Sequence, residues 1–227
     1  MPLKSSAQHW GGLAKTFHWL IVALIIVQGT LGLYMVNLPK KPNIIPYYSF
    51  HKSLGMTVLA LAVLRLVWRV FDARPLDPAS MPRRQVLGAR VGHALLYGLL
   101  FAVPLSGWWF DSVSPLRPMY FFGLFEIPHI VAANPDLKDV AQETHEWLFW
   151  LLVIVACGHA AMAFIHEFVS RDGTLSRMLP GRHAPVTSVA DIPSESVPAS
   201  MENDHAETTP SVASDPAAEP ADRGPGA

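Results

Sequence analysis

The stretch Thr144–Phe168, THEWLFWLLVIVACGHAAMAFIHEF, decides how this chain is read. It is apolar and exceeds the roughly 20 residues that a helix needs to cross a bilayer. His145 and His159 interrupt it, fourteen residues apart. Fourteen residues is close to four helical turns, so both imidazoles leave one face of the helix, offset by about 21 Å along its axis. A hydrocarbon core is about 30 Å thick, which sets the two rings at different depths within it. A polar ring buried in lipid costs free energy unless it finds a partner, so each histidine demands one.

Three further apolar segments match in length: Thr16–Val36, Ser49–Phe71 and Val91–Phe110. The fold expected is all-α, an integral membrane four-helix bundle. Pro104 in the third segment predicts a kink or a local loss of backbone hydrogen bonding, which neighbouring helices can absorb. The first apolar run is too long for a secretory signal, and no A-x-A-like site follows it before Pro39–Pro42, so it reads as a retained span. With one cysteine, Cys157, neither an intrachain disulfide nor a cysteine metal cluster is possible. Between Ala156 and Gly158 it reads as a small packing residue.

Charge divides the chain. Residues 1–183 hold 16 Lys and Arg against 10 Asp and Glu, whereas residues 184–227 hold one Arg against eight acids. The first part is the expected membrane domain. The second, rich in Pro, Ala and Ser, has too few large apolar residues to offset its ordering entropy and reads as a disordered acidic tail. Lys4, Lys15, Arg74, Arg83, Arg84, Arg90, Arg171, Arg177 and Arg182 flank one side of the spans. The other side has Lys40, Lys41, Arg117 and Lys138, diluted by Glu126, Asp136 and Asp139. The positive-inside rule therefore predicts both termini in the cytoplasm of a bacterial inner-membrane protein. The long third connection, 111–142, carries MYFFGLFEIP, whose Tyr120, Phe121 and Phe122 read as interfacial, a cap over the outer face.

Ten histidines occur. His9, His183 and His205 lie in polar termini, and His129 in the outer loop. His93 opens the third span and His166 closes the fourth, both on the inner side. The remaining four pair by topology. His18 and His159 share the cytoplasmic level, His51 and His145 the periplasmic level. Iron–porphyrin accounts for such pairs. The absence of C-x-x-C-H makes the groups non-covalent, b-type haems. The competing reading, interfacial histidines at helix ends, treats each ring separately and leaves the level matching unexplained.

Small residues fit two stacked haems. Gly32 lies fourteen residues after His18 and leaves the ligand face of the first span open at the outer level; Gly55, one turn after His51, reads as close approach of a flat ligand. Each also suits plain helix packing. Arg65, fourteen residues after His51, points into the bundle at the inner level, where a haem propionate would pair with it, or else snorkels to headgroups. There is no P-loop, G-x-G-x-x-G or G-x-S-x-G, and neither His145-Glu146 nor His166-Glu167 continues as a zinc-protease helix. No nucleic-acid partner is expected.

The patterns FHWL, FHKSLGMTVLALAVLRLVWR, VGHALLYGLLFAVPLSG, THEWL, GHAAMAFIHEF and DGTLSRMLP, in this order over residues 8–180, resemble the bacterial cytochrome b561 family. The resemblance implies a four-helix membrane protein with two haem b groups ligated by His18, His51, His145 and His159. It further implies electron transfer between a periplasmic donor and ubiquinone, with superoxide oxidation as one known activity of the family. Superoxide is an anion, so Lys52 beside His51, with Lys40 and Lys41 behind it, becomes the candidate steering cation, the alternative being a headgroup anchor. His93, His166 and Arg90 are candidates for binding quinone, a propionate or lipid headgroups. The expected partners are lipid, quinone, superoxide or another small donor, and a redox partner protein. A membrane anchor that relays electrons for a hydrogenase or dehydrogenase is the competing functional class; a haem-free structural protein is the third.

Overall fold

The computed structural model describes residues 3–6, 10–39, 41–73, 82–115, 118–171 and 173–179. All lie in one compact unit, Met1–Ala184. The acidic tail read at 184–227, and with it His183 and His205, lies outside the described residues, as does His9.

Four helices carry the fold: α1 Gly12–Val36, α2 Ile45–Phe71, α3 Arg83–Val113 and α4 Lys138–Phe168. Each is long and apolar enough to cross a membrane. α3 and α4 begin well before their apolar segments. Hydropathy marks where a chain leaves lipid, whereas backbone hydrogen bonding carries a helix on through polar residues such as Arg83–Arg90. α3 also runs through Pro104 as one helix.

The fold is not purely helical. Met119–Phe121 (β1) and Phe125–Ile127 (β2) pair antiparallel, with Tyr120 opposite Glu126. The turn needs left-handed backbone at both Phe122 (φ 48°) and Gly123 (φ 78°). Gly123 accepts this freely; Phe122 does so at a steric cost. Ser53 on α2 holds the turn in place. Its hydroxyl accepts from the Phe122 amide at 3.0 Å and lies 3.1 Å from the Tyr120 carbonyl. Phe122 also packs edge-on against Phe50, with ring centroids 5.9 Å apart. The expected aromatic cap therefore exists as a hairpin seated on the start of α2. A run of ten residues at the membrane surface cannot leave its amides unpaired, and pairing with itself solves this.

The opposite end of the bundle is closed by residues 3–6 and 173–179. The Ser5 amide donates to the Asp72 carboxylate at 2.8 Å. Lys15 donates to the Leu179 carbonyl and Trp19 to that of Met178, at 3.1 and 2.9 Å. The Ser176 amide donates to Glu167 at 3.0 Å. Residues 173–179 thus fold back under α1.

Close backbone packing joins α1 to α2, α2 to α3 and α3 to α4. The buried core, Ile21, Val58, Ala62 and Leu100, draws on the first three helices alone. α4 turns His159 toward α1 and His145 toward α2, and its Phe149 packs at Gly29 of α1.

Ser53→Ala should free the hairpin without unfolding the bundle. Losing two hydrogen bonds, each contributing about 1 kcal/mol, should speed amide exchange over residues 119–127 by roughly five- to thirtyfold. Hydrogen-exchange mass spectrometry in detergent measures this, with the α3–α4 amides as the unchanged reference.

Candidate functional site

The interior of the bundle brings the four singled-out histidines into two pairs. His18 of α1 faces His159 of α4 near the end closed by residues 173–179, with ring centroids 6.5 Å apart. His51 of α2 faces His145 of α4 near the hairpin, at 6.3 Å and an interplanar angle of 89°. A metal–imidazole bond is about 2 Å long, so two imidazoles on opposite sides of one metal ion have centroids about 6 Å apart. Both pairs stand at that separation. Among the described residues no group of three or more His, Cys, Asp or Glu could hold a metal ion. Two axial nitrogens alone suit a metal that brings its equatorial ligands with it, as porphyrin iron does.

The surroundings support the same chemistry. His145 Nδ1 lies 3.0 Å from the Val103 carbonyl and 3.0 Å from Ser106 Oγ. Donation from Nδ1 to the carbonyl leaves Nε2 unprotonated and available to a metal. A Cβ on Gly107 would come within 3.1 Å of the His145 ring, and one on Gly32 within 3.3 Å of the His51 ring. Both rings of the hairpin-side pair therefore occupy room that neighbouring glycines leave open. Gln28 donates to the His51 carbonyl at 2.7 Å, while His51 Nδ1 is buried with no hydrogen-bond partner.

At the other pair, Arg65 points inward. Its Nη2 lies 3.1 Å from His18 Nδ1, and its guanidinium stands 5.6 Å from the Tyr97 ring centroid, as does that of Arg69. His93 adds a third imidazole, 5.0 Å from His159, with Nδ1 2.6 Å from the Ala89 carbonyl.

Several candidates sit differently from their sequence reading. The space at Gly55 is taken by the Gln28 side chain, 3.2 Å from where a Cβ would lie, because Gln28 must reach the His51 carbonyl. Lys52 forms an ion pair with Asp111, so its charge is offset by a carboxylate rather than presented freely. His166 is buried, not at the surface, and has partners of its own. Cys157 is exposed on α4 rather than packed between helices. His129 is exposed, as expected of the outer loop.

Sequence reading missed Ser106, Gly107, Gln28 and Asp111. The S-G of FAVPLSGWWF carried a signal, a small pair on a helix facing the ligand helix. Gln28 is a polar residue inside an apolar span and Asp111 the first residue after one, and neither position names its partner.

Four membrane-length helices with interior histidines paired across the bundle define a membrane cytochrome b. Comparison with known proteins agrees. A family model described as prokaryotic cytochrome b561 matches residues 9–181. "Cytochrome b561 homolog 2" of Escherichia coli is 34% identical over 186 residues, covering 79% of this chain and 95% of that protein. "Probable superoxide oxidase CybB" of Yersinia pestis is 30% identical over 168 residues, covering 72% and 91%. "Cytochrome b561 homolog 1" of E. coli is 28% identical over 132 residues, covering 58% and 74%.

The chain belongs to the prokaryotic cytochrome b561 family. It is therefore a multi-pass bacterial membrane protein of electron transport, from a family that binds haem b.

Gly107→Val should crowd the His145 ring and lower haem bound per protein, read as Soret absorbance. Gly98→Val is the matched control, since a Cβ there meets open space, and it should retain the wild-type haem content.

Proposed function

We propose that this protein holds two haem b groups, one between His18 and His159 and one between His51 and His145, and passes electrons inward from superoxide to ubiquinone. The observation that carries the reading is the pair of ring separations, 6.5 and 6.3 Å, at two levels of the bundle. The name of the Yersinia relative supports superoxide as the donor. The distribution of Lys and Arg supports cytoplasmic termini, which makes the hairpin end periplasmic.

Haem held there by two histidines would supply a one-electron couple suited to electron transfer rather than oxygen binding. Two superoxide anions would give up one electron each and leave as dioxygen. Ubiquinone would take both electrons, with two protons, to become ubiquinol. The four histidines would hold the groups, at levels set by His145 and His159, which are offset by about 21 Å along α4. Arg65 can only donate, so its contact takes the lone pair of His18 Nδ1 and leaves the ring proton on Nε2. Metal ligation through Nε2 requires Arg65 to release that nitrogen, and a propionate is the anion that would receive it. His93, beside His159 with its Nδ1 engaged, is the better candidate than buried His166 to meet a quinone. Because Asp111 offsets Lys52, steering of superoxide falls to the lysines behind it, among them exposed Lys41.

His145→Ala should remove the hairpin-side haem and spare the other, and His159→Ala should do the reverse. A pyridine haemochrome assay should give two haems per wild-type chain and one in each variant; two in both variants would sink the assignment.

Superoxide generated enzymatically should reduce the haems of the purified protein rapidly, with turnover when a ubiquinone analogue is added. Inertness to superoxide together with a co-purifying dehydrogenase or hydrogenase subunit would instead identify an electron-relaying anchor.

A further inference from the structure

Near the hairpin lies one buried ion pair that serves no histidine as a ligand. Lys52, the residue after His51 on α2, reaches Asp111 on α3; the side chains are 25% and 6% exposed. Asp111 stands one helical turn beyond Gly107, against which the His145 ring packs. Lys52 thus follows one histidine of the hairpin-side pair in sequence, and Asp111 lies on the helix against which the other packs. The outer loop roofs the site. Ser112 Oγ accepts from the Ile130 amide at 3.1 Å, and the Val113 carbonyl accepts from that of Asn134 at 2.9 Å. Ser112 and Val113 have no exposed surface. The second oxygen of Asp111 is buried without a hydrogen-bond partner. Nothing but Lys52 forms a salt bridge with this carboxylate among the described residues.

The other histidine pair has a different electrostatic setting. Arg65 and Arg69 both stand over Tyr97, with Arg65 in contact with His18. Neither Arg65 nor Arg69 forms a salt bridge among the described residues. Positive charge near a redox group in a medium of low dielectric favours its reduced form, and a neutral pair does not.

We infer that Asp111 is a positioning residue for electron transfer: by cancelling Lys52 it keeps the hairpin-side haem at lower potential than the haem beside Arg65 and Arg69, so that electrons run inward. This rests on the two-haem reading above. Removing the carboxylate leaves an uncompensated ammonium beside His51 and erases the difference. Removing both partners restores it.

A redox titration of the purified protein, followed by haem absorbance, tests this. The hairpin-side component is identified as the one lost in His145→Ala. Asp111→Asn should raise that component's potential and leave the other where it was. The double variant Lys52→Met with Asp111→Asn should return it toward the wild-type value. An unmoved potential, an equal shift of both haems, or a double variant as displaced as the single one would overturn the inference. If Asp111→Asn fails to bind haem, Lys52→Met carries the test: it leaves a bare carboxylate and should lower the same potential, and a rise or no change overturns it. Absence of a second haem in the wild-type protein would instead remove the two-haem reading itself.

Discussion

An imidazole inside a bilayer must be satisfied by something other than water, and α4 carries two that face the bundle. That constraint organises the molecule. Helical geometry separates His145 from His159 by four turns on one face, so their partners must come from opposite ends of neighbouring helices. α1 supplies His18 near its start and α2 supplies His51 near its own. Because these helices run in opposite directions, the two pairs fall at two levels. Gly32 and Gly107 are consequences of the same demand, since a side chain at either would crowd a ring that has to stay where it is.

The packing follows the same logic. α1, α2 and α3 share an ordinary apolar core, Ile21 with Val58, Ala62 and Leu100. α4 docks closely on α3 and brings two imidazoles and Phe149 toward α1 and α2. A bundle built this way has part of its interior reserved for a ligand, so bound haem contributes to stability by mass action as well as to chemistry. The ends are held by polar links that lipid could not satisfy: the Ser53 hydroxyl under the hairpin, and Lys15 and Trp19 under residues 173–179.

Polar side chains inside the spans divide into two kinds. Ser106 and Gln28 act on the histidines, one at His145 Nδ1 and one at the His51 carbonyl. Lys52, Asp111 and Arg65 carry charge, placed near one histidine pair or the other. The first kind sets ring orientation and tautomer. The second sets the local field. The relatives at 34% and 30% identity cover most of their own length in this chain, so the likeness runs through the bundle as a whole.

Sequence by itself determined the four membrane-length helices and which interior histidines face one another, His18 with His159 and His51 with His145. Periodicity and hydropathy act along the chain, and a helix turns spacing into position with little freedom. What lay between helices was not legible. That Lys52 meets Asp111, that Gln28 fills the space at Gly55, and that Ser106 and Gly107 frame His145 depend on how the helices are rotated about their axes. The hairpin at Met119–Ile127 was likewise read only as an aromatic cap. Its pairing satisfies backbone groups at the membrane surface, a tertiary need that no propensity along the chain encodes.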